Sequence, residues 1–457
     1  MITYSIIQKS QLEGAHRIDA EYYQPEYLEV VSKVSKIPHN TLESISESLL
    51  SFGAYSLTSF IQWEESGIPF ITAEDVKEGF IDLENARFID EKVDEILKKS
   101  RVHEGEVLLA MSGKVGDAAV AVNIPSKLNS NQDIVKIKLK KDYSPYFLAV
   151  FLNSKYGRLQ VLRLPVGSVQ QHIFLWQTKS LLIPKFSREF VSEIENLYKL
   201  GLSELQNSKI LYRQAEGLLL EKLGLKNAVF ENDLSYVVNF SDVKSANRVD
   251  AEYFQPKYEE LVKKIKQKFE PRRLEEIASV KRGSLIDPIF YDDTDGIPYI
   301  RGKDFSTGRL EKSDLVYINN NFSSKNETKV KEGDIVFASI GSVGDLALIP
   351  REFAISFISN NTGKLSIKNK NEISPEYLTV VLHSIIGKSQ FDKEASQTAQ
   401  PKISDTQVRS FYIPILPKST QQKIAEMVRR SHEARKKSKE LLEEAKRKVE
   451  EMIEKSV

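Results

Sequence analysis

The chain has 457 residues, of which 41% are hydrophobic and 28% are charged, and its formal net charge is +1 at pH 7. Cysteine is absent, which excludes disulfide bonds, thiolate metal sites and cysteine nucleophiles. Because the charges nearly cancel, binding to a polyanion would require local basic patches. The first ten residues lack a basic start with a long apolar run, and no segment approaches the ~18 apolar residues of a membrane span. We therefore expect a cytoplasmic protein with no membrane partner.

Short apolar or alternating runs bounded by turn residues predict strands in both halves of the chain. These runs lie at 68–72, 106–110, 133–139, 297–301, 334–339 and 363–367. Helices are predicted at 144–153 and 374–384, because each segment opens with a Ser-Pro pair that suits a helix cap and first turn. These patterns therefore predict one α+β domain of ~180 residues in each half of the chain.

The chain repeats its short motifs in the same order. The motif at Arg17–Pro25 returns at Arg248–Pro256, about 230 residues later, which is far longer than the repeat of a solenoid. Further matching segments are 67–71 with 296–300 (Gly-Ile-Pro-aromatic-Ile), 113–117 with 341–345 (Gly-x-Val-Gly-Asp), and 183–184 with 413–414 (Ile-Pro). The glycine pair in the second of these motifs predicts a tight turn with positive φ in both copies. The sequence thus predicts two tandem copies of one fold.

Each copy ends in a long segment without proline, at 188–223 and at 420–453, with apolar or small residues at alternating spacings of three and four. This spacing predicts a coiled-coil seam. The seam residues are Val191, Ile194, Tyr198, Gly201, Leu205, Ser208, Tyr212, Ala215 and Leu219 in the first helix, and Ile424, Met427, Ser431, Ala434, Ser438, Leu441, Ala445, Lys448 and Met452 in the second. We expect the helices to pair antiparallel as a rigid spacer. The alternative is that each helix packs only on its own domain.

This order of domains, helices and short motifs resembles the specificity (S) subunit of type I restriction–modification enzymes over essentially the whole chain. The resemblance implies an α+β protein of two tandem α/β target recognition domains joined by two long antiparallel coiled-coil helices, with pseudo-two-fold symmetry. The implied boundaries are 1–185 for target recognition domain 1, 186–226 for the central spacer helix, 227–416 for target recognition domain 2 and 417–457 for the C-terminal spacer helix.

The resemblance also implies a function in phage defence. Each domain would read one half of a bipartite, asymmetric site in double-stranded DNA, and the helices would dock two modification methyltransferase subunits, with or without restriction helicase-nuclease subunits. This subunit would be non-catalytic and would hold no cofactor, because S-adenosylmethionine, ATP and Mg²⁺ belong to the partner subunits.

The residues themselves agree with a subunit that selects sites without chemistry. The chain has no Pro-Pro pair, which the loop of an adenine-N6 methyltransferase needs, and its Gly-Lys pairs lack the earlier glycine of a phosphate-binding loop. Its six histidines form no close pair with metal-ligand spacing. The remaining alternatives are the specificity subunit of a type IIB-like system and a coiled-coil adaptor that does not bind DNA.

Positions that differ between the copies inside the shared framework are candidates for reading bases. Arg301 and Lys303 suit guanine O6/N7 or phosphate, Glu74 suits cytosine N4, and amides suit adenine N6/N7. The candidate DNA-binding residues are Thr72, Glu74, Lys114, Asn131, Gln132, Gln170 and Gln171 in the first copy, and Arg282, Arg301, Lys303, Ser342, Asn360, Asn361, Gln397, Gln400 and Lys402 in the second. The alternative for each is an ordinary solvated turn or strand end. Asp75 and Asp304 match between the copies and are predicted to cap turns.

Overall fold

The computed structural model describes residues 4–10, 12, 17–51, 61–84, 86–165, 172–231, 233–292, 295–306, 309–310, 315–322, 328–396 and 398–457. The chain divides into two compact units. Unit 1 comprises Met1–Gln206 and Ala434–Val457, and unit 2 comprises Asn207–Glu433. Within the described ranges, no helix combines the length and the apolar character needed to cross a membrane.

Unit 1 mixes short strands with helices. Its strands are β1 (His39–Thr41), β2 (Ser46–Leu50), β3 (Ile68–Ile71), β4 (Val76–Lys77), β5 (Phe80–Ile81), β6 (Arg87–Ile89), β7 (Val107–Ala110), β8 (Ala118–Val120), β9 (Asn129–Ser130), β10 (Ile134–Leu139) and β11 (Leu182–Pro184). Its helices are α1 (Pro25–Lys36), α2 (Leu42–Ile45), α3 (Glu91–Ile96), α4 (Pro145–Asn153), α5 (Lys155–Leu162) and α6 (Leu175–Thr178), and the long helix α7 (Arg188–Leu223) follows them.

An antiparallel sheet with strand order β2-β10-β7-β8 forms the centre of unit 1. Successive side chains of a strand point to opposite faces, so Val107 and Leu109 join the core that contains α4 and α5, whereas Leu108 and Ala110 join a smaller core on the other face. That smaller core includes Ile71 at the end of β3. The strand β3 lies between β6 and β9 and is parallel to β9, while β1 pairs with β11 and β4 with β5. The central sheet is therefore covered on both faces.

Unit 2 has the same kinds of element. Its strands are β12 (Arg272–Arg273), β13 (Ala278–Arg282), β14 (Tyr291–Asp292), β15 (Ile297–Ile300), β16 (Phe305–Ser306), β17 (Arg309–Leu310), β18 (Val316–Ile318), β19 (Ile335–Ala338), β20 (Leu346–Leu348), β21 (Phe357–Ile358), β22 (Thr362–Ile367) and β23 (Tyr412–Ile413). Its helices are α8 (Phe240–Ala246), α9 (Pro256–Lys266), α10 (Leu274–Ile277), α11 (Pro375–His383), α12 (Ile385–Glu394) and α13 (Asp405–Arg409), followed by the long helix α14 (Lys418–Ser456).

The strand order of unit 2 matches that of unit 1. Its central sheet is β13-β22-β19-β20, its second sheet contains β18-β15-β21 with β15 parallel to β21, and β12 pairs with β23. The second sheet has one strand more than its counterpart, because β14 adds to β18. The predicted mixed α/β character is confirmed.

The two long helices complete the cores. In unit 1, Ile194 and Tyr198 of α7 share one core with Ala445 of α14. In unit 2, Leu219 of α7 shares another core with Ile424 of α14. Of the predicted seam residues, Leu205 is also buried, whereas Val191, Tyr212, Met427, Leu441 and Met452 are half-buried. Each long helix thus supplies buried side chains to both units.

Small seam residues lie where the two helices approach each other. In unit 1, a Cβ built on Gly201 would lie 3.1 Å from Leu442 of α14. In unit 2, the hydroxyls of Ser208 and Ser431 are 3.1 Å apart, and Ser431 also donates to the carbonyl of Ser208 at 2.8 Å. The helices therefore pack antiparallel within each unit.

The buried stripe of α14 leaves the predicted seam near the end of the helix. Val449 and Ile453 are buried there, whereas the predicted Lys448 and Met452 are half-buried. A straight helix has 3.6 residues per turn, so its buried face drifts from a strict 3.5-residue repeat. Packing on the core of unit 1 follows the 3.6 period instead of the heptad.

The most closely repeated motif is a structural clamp. Arg17 binds Asp19 and donates to the carbonyls of Leu164, at 2.8 Å, and Pro165, just beyond α5. Arg248 binds Asp250 and donates in the same way to the carbonyls that end α12. A cation near a helix C-terminus satisfies carbonyls that lack an intrahelical partner. The repetition of this motif therefore reflects the shared fold.

Each unit also buries one lysine at the same position of its central sheet. Lys136 lies opposite Leu108 on β7, and Lys364 lies opposite the equivalent Val336 on β19. The Lys364 ammonium has a carboxylate partner in Asp334 at 3.1 Å. The Lys136 ammonium, which is 1% exposed, donates to the Ser100 carbonyl and the Ser130 hydroxyl, and burial lowers its pKa from 10.5 to about 8, although the charge of Glu106 opposes this shift.

We predict that Lys136→Met changes how stability depends on pH. The lysine is protonated more readily in the unfolded chain than in the folded one. Its charge therefore destabilises the folded wild type fully below pH 8, and this destabilisation disappears as the pH rises to 10.5. Relative to the variant, the wild type should gain on the order of 3 kcal/mol of unfolding free energy across that range. Urea unfolding from pH 7 to 10.5 measures the difference, and a difference that does not vary with pH would contradict the account.

Candidate DNA interface

In unit 1, four chain segments meet at the ends of β3, β7 and β9. Asn131 donates its backbone N–H to the carbonyl of Ile71 at 2.9 Å, which joins the ends of β9 and β3. Met111, just after β7, donates to the carbonyl of Asp133 at 2.8 Å and accepts from the N–H of Ile173 at 3.1 Å. The backbone therefore gathers residues 72–75, 111–117, 131–133 and 172–173 at one edge, which we call reading edge 1.

The turn after β7 is shaped by glycine. Gly113 and Gly116 have φ values of +66° and +97°, and their counterparts Gly341 and Gly344 have +84° and +98°. Side chains rarely adopt such values, so the predicted tight turn with positive φ is confirmed in both copies. A Cβ on Gly113 would lie 3.9 Å from Glu74, which shows that the turn and the end of β3 are neighbours.

A network of ion pairs holds the turn of reading edge 1 in place. Arg158 of α5 binds Asp117 at 2.7 Å and Glu78 at 2.8 Å, and Lys446 of α14 binds Glu78 at 2.8 Å. Burial raises the pKa of Asp117, although Arg158 opposes this shift. Burial would also raise the pKa of Glu78, but its bonds to Lys446 and the charge of Arg158 lower it. The turn is therefore held by residues outside it, and Lys114 projects from a supported loop.

Unit 2 repeats these backbone bonds. Ser359 donates to the carbonyl of Ile300 at 2.9 Å, Ser339 donates to Asn361 at 3.0 Å, and Ile403 donates to Ser339 at 3.0 Å. A Cβ on Gly302 would lie 3.7 Å from the Asn361 carbonyl. We call the corresponding set, residues 301–304, 339–345, 359–361 and 402–403, reading edge 2.

The backbone register sets which residues correspond. Because Asn131 and Ser359 make the same bond, Gln132 corresponds to Asn360 and Asp133 to Asn361. Strand pairing decides this register, and the similar Ser-Asn letters at 130–131 and 359–360 do not.

Most candidates in unit 1 lie on reading edge 1. Glu74 and Lys114 are exposed, and Asn131 and Gln132 are half-buried. Thr72 instead caps the turn after β3, because its N–H and hydroxyl both donate to Asp75, at 2.7 and 3.0 Å. Gln170 and Gln171 lie outside the described residues.

On reading edge 2, several candidates are exposed side chains. They are Lys303, Ser342, Asn360, Asn361 and Lys402, and the exposed candidate Gln400 lies just before the last segment of the edge. Gln397 lies outside the described residues. The exposed charges of this edge, Lys303 and Lys402, are cationic, whereas reading edge 1 carries the acidic Glu74 and Asp133 beside Lys114. The two edges thus share a backbone and differ in charge.

Two candidate arginines are engaged by the protein. Arg301 makes a two-pronged ion pair with Asp304, with both contacts at 2.9 Å, and Asp304 also accepts the Arg301 N–H. Arg282 binds Asp405 at 2.6 Å, the Ile403 carbonyl at 3.0 Å and the Ser339 hydroxyl. The predicted capping role of Asp75 and Asp304 is confirmed, and both arginines support reading edge 2 from within.

The sequence patterns did not reveal one pair at reading edge 1. His172 Nε2 lies 3.3 Å from the Asp133 carboxylate, and the two residues are separated by 39 positions. Only the hydrogen bonds that bring 131–133 and 172–173 together make this pair visible. Among the described residues, no group of histidine, aspartate and glutamate side chains is placed to hold a metal ion.

We predict that Arg301→Ala destabilises unit 2 by about 2 kcal/mol, because the buried Asp304 carboxylate loses its charged partner. Arg301→Thr should lose less, because threonine caps the same turn in unit 1 through Thr72. Urea unfolding compares the two variants. If the urea midpoint of Arg301→Ala equalled that of the wild type, the ion pair between Arg301 and Asp304 would not stabilise the turn.

Comparisons with known proteins bear on what these edges do. Residues 266–447 match the family model described as type I restriction modification DNA specificity domain. No curated protein matches the chain by sequence.

Solved structures offer only distant likenesses. The chain shares 16% identity with the S subunit of a type I restriction-modification system from M. genitalium, covering 92% of this chain and 95% of that one at a TM-score of 0.39. It shares 11% identity with the HsdS subunit from Thermoanaerobacter tengcongensis, covering 92% and 97% at a TM-score of 0.29. Scores this low carry no argument about this chain.

The family match covers most of unit 2, including all of reading edge 2. Residues 266–447 are therefore similar to a type I restriction modification DNA specificity domain.

Proposed function

We propose that the chain is the specificity subunit of a type I restriction–modification enzyme, and that units 1 and 2 are two tandem target recognition domains. The observation that carries this proposal is the pair of reading edges, which share their backbone hydrogen bonds and differ in their exposed side chains. The family match lies mostly in unit 2 and ends in the part of α14 that belongs to unit 1, and the common strand order supports the same role for the strands of unit 1. One framework used twice with different readers suits a bipartite, asymmetric site.

The chemistry of the edges suggests how the halves would differ. Lys303 and Lys402 would contact phosphates or guanine on the second half-site, and Asn360 and Asn361 offer amides for adenine. Glu74 would accept from cytosine N4 on the first half-site, while Lys114 would contact phosphate. Arg301 and Arg282 would act by positioning the edge, because their guanidinium groups already bind the protein.

The long helices would set the spacing between half-sites. They would also dock two modification methyltransferase subunits, with restriction helicase-nuclease subunits added in a complete type I enzyme. We propose no catalytic step for this chain, so S-adenosylmethionine, ATP and Mg²⁺ would be bound by partners. Co-purification identifies the system: a helicase-nuclease fixes type I, and a different catalytic partner favours a type IIB-like enzyme.

We predict that Lys303→Glu alters the second half-site alone, and that Lys114→Glu, which removes a phosphate contact, weakens binding without changing the motif. Each variant places a negative charge near DNA, which should weaken binding about tenfold or more. Sequencing of methylated adenines in cells that express each variant with its partner gives the recognised motif.

Two matched controls carry the same charge reversal away from the edges. Lys36 ends α1 in unit 1 and Lys263 lies in α9 of unit 2, and both are exposed. Lys36→Glu and Lys263→Glu should leave both half-sites unchanged. If Lys303→Glu and Lys114→Glu also left the motif and the affinity unchanged, the reading edges would be assigned wrongly.

A further inference from the structure

Two large aromatic side chains are exposed beside reading edge 1. Phe174 is 46% exposed and Trp176 is 66% exposed. They follow Ile173, whose N–H binds the Met111 carbonyl, and the Phe174 ring lies 5.3 Å from the ring of His172. The aromatic pair is therefore continuous with the edge, although neither residue belongs to the base-reading candidates.

Hydrogen bonds hold the backbone of the segment that carries the aromatic pair. The Phe174 N–H donates to the side chain of Gln177 at 2.7 Å, and Gln177 in turn donates to the Leu164 carbonyl at 2.7 Å. Gln177 is buried, and Leu164 is the residue that Arg17 also clamps. Because these bonds fix the backbone at Phe174, this segment loses little backbone entropy when it meets a ligand.

Unit 2 builds the same support and carries different side chains on it. The Ser404 N–H donates to Gln407 at 2.8 Å, and Gln407 donates to the Glu394 carbonyl at 2.8 Å. Because Ile403 corresponds to Ile173, Ser404 occupies the position of Phe174, and Thr406 that of Trp176. The aromatic pair is thus a feature of unit 1 on a backbone that both units share.

DNA bases are an occupant that suits the pair. Aromatic and apolar side chains that protrude from a DNA-binding surface stack on bases or enter a base step. Reading edge 1 carries Glu74 and Asp133, so its attraction for phosphates is weaker than that of reading edge 2, which carries Lys303 and Lys402. Stacking supplies an attraction that does not depend on charge.

We propose that Phe174 and Trp176 form an aromatic wedge that contacts bases of the first half-site, whereas unit 2 reads its half-site without one. The proposal rests on the chain being a DNA specificity subunit. Trp176 stacks on a base at the border of the half-site, and Phe174 packs beside it. These two residues are then specificity determinants in addition to the polar residues of the edge.

The chain permits a direct optical test, because its only tryptophans are Trp63 and Trp176. In a full-length Trp63→Phe variant, emission comes from Trp176 alone. The ligand is a labelled duplex that carries the motif found by methylated-adenine sequencing, and anisotropy of its label reports binding independently. We expect marked quenching of Trp176 when the duplex is bound, because stacking on a base quenches indole emission.

The matched control moves the aromatic pair between units. In Trp63→Phe with Phe174→Ser, Trp176→Thr, Ser404→Phe and Thr406→Trp, the emitting residue lies on the same backbone position of unit 2.

Sequencing of methylated adenines should show an altered first half-site for Phe174→Ser/Trp176→Thr alone, with the second half-site unchanged. These replacements are the residues that unit 2 already uses on this turn, so thermal unfolding should stay near that of the parent.

The outcomes separate this inference from the proposed function. Binding by anisotropy without quenching of Trp176, or an unchanged first half-site in the double variant, overturns the wedge and leaves DNA recognition in place. Quenching by the co-purified partner in the absence of DNA also overturns the wedge, because the aromatic pair would then belong to a protein interface. Failure of any motif-bearing duplex to bind would reject the proposed function itself.

Discussion

The two long helices are the elements on which the structure depends most, because each of them contributes to the cores of both units. Tyr198 of α7 is fully buried in unit 1, where its hydroxyl accepts the N–H of Val120 at 3.0 Å, and Leu219 of the same helix is fully buried in unit 2. Removing a buried side chain of this size typically costs about 3 to 5 kcal/mol. Neither unit has a closed core without the helices, so the helices are structural parts of both.

The chain can be divided into a structural framework and a set of exposed residues proposed to read DNA, here called the readers. The framework comprises the repeated strand order, the arginine clamps at Arg17 and Arg248, the buried lysines and the glycine turns. The readers are the few side chains that the framework exposes at the ends of strands. Because the core of each unit stabilises its own framework, the exposed residues can differ without a change of fold, and under the proposed function two unlike DNA half-sites would need only one fold.

Much of this arrangement follows from local patterns in the sequence. Hydrophobic periodicity and caps predicted two of the four central strands of each unit, β7 with β10 and β19 with β22, and the helices at 144–153 and 188–223, to within about two residues. They did not predict β2, β8, β13 or β20. The repeat predicted a common fold, and paired glycines predicted the turn at 113–117. These features depend on neighbours in the chain, so the sequence contains them directly.

The details of the site depend on residues that are distant in sequence. Arg282 was a candidate reader, but its partner Asp405 lies 123 positions away, so only the folded chain shows that the guanidinium is engaged. The correspondence of Asn131 with Ser359 was hidden because strand pairing sets it. Phe174 and Trp176 carry no motif at all, and only the folded chain shows that they are exposed while Gln177 and Thr178 are buried. Sequence reasoning therefore finds the framework more readily than the readers.

The most direct test of the proposal that the long helices set the spacing between two half-sites is the DNA motif before and after the helices are shortened. One heptad is removed from each helix where they meet at Ser208 and Ser431, at 203–209 and 431–437. Methylated-adenine sequencing should give two unlike half-sites separated by a gap for the wild type, and the same half-sites with a shorter gap for the variant. A continuous wild-type motif, or a variant that methylates at an unchanged gap, would contradict the account.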